Sequence, residues 1–545
     1  MYTAEDLTVV IPTRDRWEIT RRTLDGLARQ TETGFATIVV VDGDDQRPPA
    51  LGRDVEVLVN RRAGPGAARN RGAHRARTAL VLFLGDDMVP QPGLVATHVA
   101  GHRTDTAPET GVLGHVDWHP DISDSRLLRW MDWSASQFNF AGLAAGDDAH
   151  WARFYSCNVS LKRDFFLGAG GFDEDFTYYY EDLDCGWRLG ERGLRLRFEP
   201  AAQAQHLHRY DWDHMLARFD GIALGEHLMA TKHPDFEPFF KRRCENALAT
   251  GRVSPLWPIV FDRLPSRPGR LRQVAQRRAN AWWYQRLAPR YLNGYRGADD
   301  LDELREYLGD RFDDQKLWHH RHEVESEEQS APDERTFYRT SEAYLYDLTA
   351  FGMWPTKIPY RADLQRVVPP PARLLDYGCG IGTDGLRLLE RGYDVAFADF
   401  DNPSTRYLRW RLARRDLHPP VYDIEGEVPS DFDAVYAFDV LEHVDDPRGF
   451  LDRLERLAPL VVVNLVGPDP GDTHLHKPLD IGELLAYMER RGLVHYRRYH
   501  GRVHLVAYRS DGGGGSRARR WVERRRGAAV SRVKDRLERL PQLLA

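Results

Sequence analysis

The chain has 545 residues, too many for one hydrophobic core, and at roughly 150 residues per domain about three domains are expected. With 42% hydrophobic and 29% charged residues it reads as folded protein, and a net charge of −6 argues against nucleic acid as its main partner. Cys157, Cys185, Cys244 and Cys379 are scattered with no CxxC pair, which disfavours a disulfide framework or a cysteine zinc site and suits a reducing cytoplasm. The opening MYTAEDLTVVIPTRDR lacks the basic start and apolar run of a signal peptide. No stretch approaches the ~18 unbroken apolar residues of a membrane span.

The first elements alternate β-rich and amphipathic runs: LTVVIPT, a helix around Ile19 to Gln30, ATIVVVDGDD, VEVLVN, a helix around Ala67 to Arg77, and ALVLFLGDD. This order predicts a parallel α/β sheet with right-handed crossovers. Three strands end on acidic or polar residues, and open α/β sheets bind ligands at the carboxyl ends of their strands.

TVVIPTRDRWEITRRTLDGLARQ, TIVVVDGDD, GPGAARNRGAHRA, FLGDDMVPQPG and GGFDEDFTYYYEDLDCGWRLGERG, in that order, resemble family 2 glycosyltransferases with the GT-A fold. The resemblance implies a nucleotide-diphosphate sugar as donor. Pro12, Thr13, Arg14, Asp15 and Asp42 would line its base and ribose, with Arg69 and Asn70 near the nucleotide. Asp86 and Asp87 stand in for the family's D-x-D, Asp87 as metal ligand and Asp86 on ribose or on the metal through water. A divalent cation there, Mn2+ or Mg2+, bridges the two phosphates and neutralises the leaving group. An inverting enzyme needs a carboxylate to take the acceptor proton. That role falls to Asp182, with Glu181 and Asp184 positioning the acceptor or the helix. His206, with His208 as alternate, would be a further metal ligand.

From about residue 213 the pattern turns to long helical segments such as RLRQVAQRRANAWWYQRLAPRYL and LDELREYLGDRF, with a charged linker EVESEEQSAPDER at 323–335. Trp282, Trp283, Tyr284, Tyr291 and Tyr295 are either a sugar-stacking platform or helix core.

A second α/β block starts near Pro370: RLLDYGCG, DVAFADFD, FDAVYAFDV, LVVVNLV and HLVAYR. Its loop carries Gly378, Gly380 and Gly382 at every second position, with Thr383 where a dinucleotide fingerprint needs glycine, so nicotinamide and flavin are disfavoured. The pattern D-x-G-x-G-x-G from Asp376 resembles the first motif of class I S-adenosylmethionine-dependent methyltransferases. FDVLEHVDDPRGFLDRL resembles the family's fourth-strand motif with its helix, and THLHKPLDIGELLAYMERRGL its substrate-side loop and last helix. The resemblance implies that Asp376, Gly378, Gly380 and Gly382 cradle S-adenosylmethionine, that Asp399 accepts the ribose hydroxyls, and that Asp423 (near the adenine) and Asp439 complete the cofactor site. His443, His474 and His476 are candidates for the base that takes an acceptor hydroxyl's proton.

The tail joins DGGGGS, a flexible tether, to a basic segment with an apolar stripe at Val530, Val533, Leu537 and Leu540. It suits an anionic membrane surface, or else a solvated or self-associating helix. The chain thus divides into a GT-A domain (1–214), a helical acceptor-side or linker region (215–334), a Rossmann-like methyltransferase domain (335–511), and a tether with a C-terminal helix (512–545). The expectation is a cytoplasmic bifunctional enzyme, peripheral at the inner membrane face if the tail binds lipid. It would transfer a sugar to a glycan or lipid-linked glycan and O-methylate the glycan. The alternatives are a methyltransferase-like domain that only binds or scaffolds, and one that methylates a non-sugar substrate of the same pathway.

Overall fold

The computed structural model describes residues 1–14, 16–43, 55–60, 64–122, 125–177, 179–265, 267, 269–467, 476–499 and 502–510. Asp15, His474 and the expected tether and C-terminal helix lie outside the described residues. Among the described residues two compact units divide the chain, Met1–Leu292 and residues 293–510.

The first unit is built on β1 (Leu7–Thr13), β2 (Ala36–Asp42), β3 (Val55–Asn60), β4 (Leu80–Leu84), β5 (Met88–Pro90), β6 (Thr110–Trp118), β7 (Asn158–Lys162) and β8 (Arg195–His206). They form one sheet in the order β3-β2-β1-β4-β7-β6-β8-β5. β3, β2, β1 and β4 run parallel, and β7 is antiparallel to both β4 and β6. β1 and β4 are buried along their whole length. Both faces of the sheet are covered, by Phe83, Phe166 and Phe172 on one side and Leu82, Leu94 and Val99 on the other. That is why LVLFL, and VVIP within LTVVIPT, read as unbroken apolar runs instead of alternating ones. β1 pairs with β4 only as far as Val10–Phe83, so Pro12, which has no N–H to donate, falls where that ladder has ended. The strand order reverses between β1 and β4, and such a reversal opens a crevice at the strands' carboxyl ends.

The helices expected after the first α/β block are shared between the units. Trp282, Trp283, Tyr284, Tyr291 and Tyr295 are all buried, so they are core and not a stacking platform. Trp283 stacks on Trp130 at 5.5 Å between ring centroids. In the second unit Leu304 and Leu308 pack with Leu345, Tyr346, Ile381 and Tyr407. The expected charged linker is a helix over much of its length, His320–Ser330. Buried Val324 anchors it against Phe337 and Ala343, a contact that the charge of EVESEEQS conceals.

The second unit's sheet comprises β9 (Arg373–Tyr377), β10 (Asp394–Asp399), β11 (Val421–Asp423), β12 (Ala434–Ala437), β13 (Leu460–Val466), β14 (Leu493–Tyr499) and β15 (Val503–Arg509). Its order is β11-β10-β9-β12-β13-β15-β14, parallel as far as β13 and antiparallel beyond. The order reverses between β9 and β12, where the glycine loop begins. Among the described residues no helix is long and apolar enough to cross a membrane.

Candidate active sites

In the first unit the turn after β4 carries Asp86 and Asp87 into the crevice. Asp86 accepts a hydrogen bond from the Thr13 hydroxyl at 2.8 Å, which ties the ends of β1 and β4 together. Arg16, at the start of the helix Trp17–Leu27, forks onto Asp86 and reaches Asp87 at 3.1 Å. His206 and His208 approach the same oxygen of Asp87 at 3.5 and 3.4 Å. Ligand atoms of Asp87, His206 and His208 all lie within 4.8 Å of one another. His206 is buried against Trp118 with its rings stacked at 5.3 Å, and among the described residues its Nδ1 meets no hydrogen-bond partner. One carboxylate and two imidazoles suit a divalent first-row cation, so this donor set fits the expected metal. The two aspartates differ electrostatically. Burial and the charge of Asp87 push Asp86 up to about 6. Burial works the same way on Asp87, but His206, His208 and Arg16 overcome it and hold that carboxyl well below its ordinary value.

The acidic run opens the helix Glu181–Glu191. Glu181 is ion-paired with Arg69 at 3.1 Å, and Asp184 with Arg188 at 2.7 Å and His233 at 2.8 Å. Asn70 donates to the carbonyl of Phe172 at 2.8 Å and accepts from its N–H at 2.8 Å. Arg69 and Asn70, expected beside the nucleotide, therefore brace the acidic segment. Asp182, half-buried, accepts from the N–H of Leu183 at 2.9 Å. Burial and the like charge of Glu181, offset in part by Arg69, push it up to about 7. Burial, and after it the charges of Asp87 and Asp182, push the Cys157 thiol up. Asp42 ends β2 and accepts from the N–H of Gly64 at 3.1 Å.

The approach to Asp182 is strained. Tyr179 and Tyr180, immediately before the helix, both take left-handed backbone conformations, φ 61° and 71°. A notch in the helix Trp212–Lys232 receives them: a Cβ at Gly221 would lie 2.6 Å from the Tyr179 ring, and one at Gly225 2.8 Å from the Tyr179 carbonyl. Fully buried Glu226 locks the turn, accepting from the hydroxyls of Tyr180 (2.6 Å) and Tyr291 and from the N–H groups of Phe240 and Lys241 (2.9 Å each). Glu226→Leu removes the shared acceptor of three buried donors and one half-buried donor and is expected to destabilise the first unit by more than about 3 kcal/mol. Thermal unfolding should show its transition at lower temperature.

In the second unit a cavity of about 750 Å³ is lined by Gly378, Gly380, Asp399 and Asp439. Gly378, Gly380 and Gly382 all have positive φ, 76°, 53° and 74°. A Cβ at Gly378 would sit 2.7 Å from Val440, and one at Gly380 2.7 Å from Leu348. Only glycine lets the main chain form this cradle. Asp399 closes it, accepting from the N–H of Gly380 and of Phe400 at 2.7 Å each, and burial pushes its carboxyl up to about 6. A main-chain cradle and a strand-end carboxylate on one cavity fit a nucleoside cofactor such as S-adenosylmethionine. Asp376, Gly382 and Asp423, also expected at the cofactor, are not among the residues that line this cavity. Asp376 is buried beneath the loop, pushed up to about 8 by desolvation and by Asp384. Gly382 starts the helix Thr383–Leu389, and Asp423 accepts from the N–H of Glu425 at 3.0 Å. Asp439 is joined to Asn464 at 2.6 Å. Lys357, unmarked in the sequence, lines the cavity 3.4 Å from both Asp384 and Asp439. His443 and His476 line it as well. Asp399→Ala is expected to weaken S-adenosylmethionine binding by about 10- to 100-fold in calorimetry of the whole chain.

Residues 8–164 match the family model described as Glycosyl transferase family 2, and residues 357–505 the one described as Methyltransferase domain. Over 250 residues the chain is 32% identical to the pre-mycofactocin glycosyltransferase of Mycobacterium tuberculosis, an alignment covering 42% of this chain and 48% of that protein. Over 124 residues it is 36% identical to an uncharacterized methyltransferase of Mycobacterium bovis, covering 21% of this chain and 62% of the relative. The chain thus spans about half the length of the first of these relatives. Among solved structures it is similar to a mannosyltransferase from Pyrobaculum calidifontis in complex with GDP-Man and Mn2+, at 16% identity and a TM-score of 0.30, over 54% of this chain and 73% of that one.

Proposed function

With a glycosyl transferase family 2 domain and a methyltransferase domain on one polypeptide, the chain is a transferase, and from that premise we propose a bifunctional enzyme. The first unit transfers a sugar, with inversion, from a nucleotide-diphosphate donor to a glycan or lipid-linked glycan. The second methylates a hydroxyl of that glycan from S-adenosylmethionine. The observation that carries this reading is the placing of Asp86, Asp87 and the cradle of Gly378, Gly380 and Asp399 at the strand-order reversals of two separate sheets.

Asp87, His206 and His208 hold a divalent cation, with Asp86 beside them. When bound, that ion supplies positive charge to the donor's two phosphates. Arg16, forked on both carboxylates, adds a fixed cation at the same place. Asp182 takes the acceptor hydroxyl's proton. In the second unit Gly380 and Asp399 hold the cofactor's nucleoside half by the same main-chain logic. The four free cysteines suit work in a reducing cytoplasm. Joining the two activities keeps the product of one near the other and raises its effective concentration.

The test is product mass after incubation of the whole chain with Mn2+, a panel of nucleotide sugars, glycan acceptors and labelled S-adenosylmethionine. One molecule bearing both the added sugar and the labelled methyl group is expected. Labelled methyl found only on molecules that are not sugars would overturn the second half of the reading.

A further inference from the structure

One cluster on the second unit's cavity has no part in the reading so far beyond the expectation that an imidazole acts as base. Glu442, His443 and His476 each offer a ligand atom, and these atoms lie within 4.8 Å of one another. Glu442 is buried, 3% exposed, and both imidazoles are half-buried. All three line the same cavity as Gly380 and Asp399. Glu442 and His443 belong to the single turn Leu441–His443, whereas His476 comes from the approach to the helix Ile481–Gly492. The N–H of Lys477 donates to the carbonyl of Glu442 at 2.6 Å and pins the two stretches together.

Two further contacts prepare the cluster for a cation. The Lys477 ammonium is held by Glu334 at 2.8 Å and Asp445 at 2.6 Å, so its charge is neutralised by those carboxylates. The Tyr338 hydroxyl lies 3.3 Å from Nδ1 of His443 and orients that ring, the kind of support that ligating imidazoles receive. The His443 and His476 rings meet edge-on, centroids 5.0 Å apart and planes 71° apart, so they do not stack. A general base requires one imidazole. Two imidazoles converging on a buried carboxylate form a coordination set.

We propose that Glu442, His443 and His476 bind a divalent first-row cation whose remaining coordination positions take the acceptor hydroxyl. Two nitrogen donors favour Mn2+ or Zn2+ over Mg2+ and Ca2+, which prefer oxygen. Three protein ligands leave room for a hydroxyl and its ring neighbour, so the favoured acceptor is a sugar carrying adjacent hydroxyls. Coordination lowers the hydroxyl's pKa, and its proton leaves to solvent. The oxygen's electron pair then forms the O–CH3 bond, while the S–CH3 bond of the sulfonium breaks and its pair returns to sulfur. The use of the ion rests on the methyltransferase reading above. The ion site itself does not.

The test is Mn2+ binding, followed by electron paramagnetic resonance, to the full chain carrying Asp87→Ala and His206→Ala, so that the first unit's site is silent, with no donor, acceptor or cofactor present. One bound ion is expected. Adding Glu442→Gln, or separately His476→Ala, should weaken it at least tenfold, while S-adenosylmethionine binding by calorimetry reports that the unit remains folded. Should Glu442→Gln lose cofactor binding, His476→Ala, outside that turn, decides the matter. Mn2+ binding unaltered by His476→Ala overturns the proposal, and so does methyl transfer that proceeds at full rate under chelator. An ion bound at this site with no hydroxyl ever methylated would remove the methylation reading and leave the site standing.

Discussion

Replacing Asp87 with alanine is expected to lower Mn2+-dependent release of nucleotide from a sugar donor by about 10³-fold, the scale of several kcal/mol of charge stabilisation at the leaving group. The size of the effect follows from where charge converges. Three cationic or cation-seeking groups, Arg16 at 3.1 Å, His208 at 3.4 Å and His206 at 3.5 Å, meet on one oxygen of Asp87. They outweigh its burial and keep it ionised throughout the working pH range. Asp86 is different: pushed up to about 6 and already bonded to Thr13, it carries a full charge only above that pH. Asp86→Ala is therefore expected to cost less than Asp87→Ala, and its residual activity to vary less with pH near 6. Release that stays within tenfold of the parent chain in Asp87→Ala, with S-adenosylmethionine binding intact, would remove the metal role assigned to this carboxylate.

The parallel halves of both sheets are legible because their strands are buried on both faces and so run apolar without alternation, as LVLFL does throughout and LVVV does up to Asn464. Strand ends were legible for the same reason: Asp87 and Asp399 each interrupt such a run. What the sequence concealed depends on partners far along the chain. Arg16 reads as a solvated surface arginine until the fold brings it to Asp86, 70 positions away. Glu226 reads as one more acid on a helix, yet it accepts from Tyr180, 46 positions earlier. Lys357 lies outside every motif and acquires meaning only between Asp384 and Asp439. A period of two in glycine announces a turning main chain without saying which residue faces the ligand. Asp376 and Gly382 belong to that glycine loop, yet Asp376 is buried beneath it and neither lines the cavity that Gly378 and Gly380 face. The aromatic run from Trp282 to Tyr295 shows the same limit, since helical spacing is identical for a buried face and for a platform.

Asp182→Asn is expected to lower the turnover of sugar transfer by about 10³-fold, within the span attributed to a positioned base, while leaving Mn2+ binding by the first unit unchanged. The pH dependence is the sharper reading. A base must be ionised to take a proton, and Asp182 is pushed up to about 7 by burial and by the charge of Glu181. kcat/KM is therefore expected to rise with pH through about 7, falling roughly tenfold per unit below it and levelling off above. Two neighbours move that limb in opposite directions. Glu181→Gln removes the like charge and should shift it to lower pH. Arg69→Met removes the cation that offsets that charge and should shift it to higher pH. A structural role for Asp182 predicts loss of activity in all three variants with the limb unmoved. A base predicts a displaced limb of opposite sign in the two neighbours and no rising limb in Asp182→Asn.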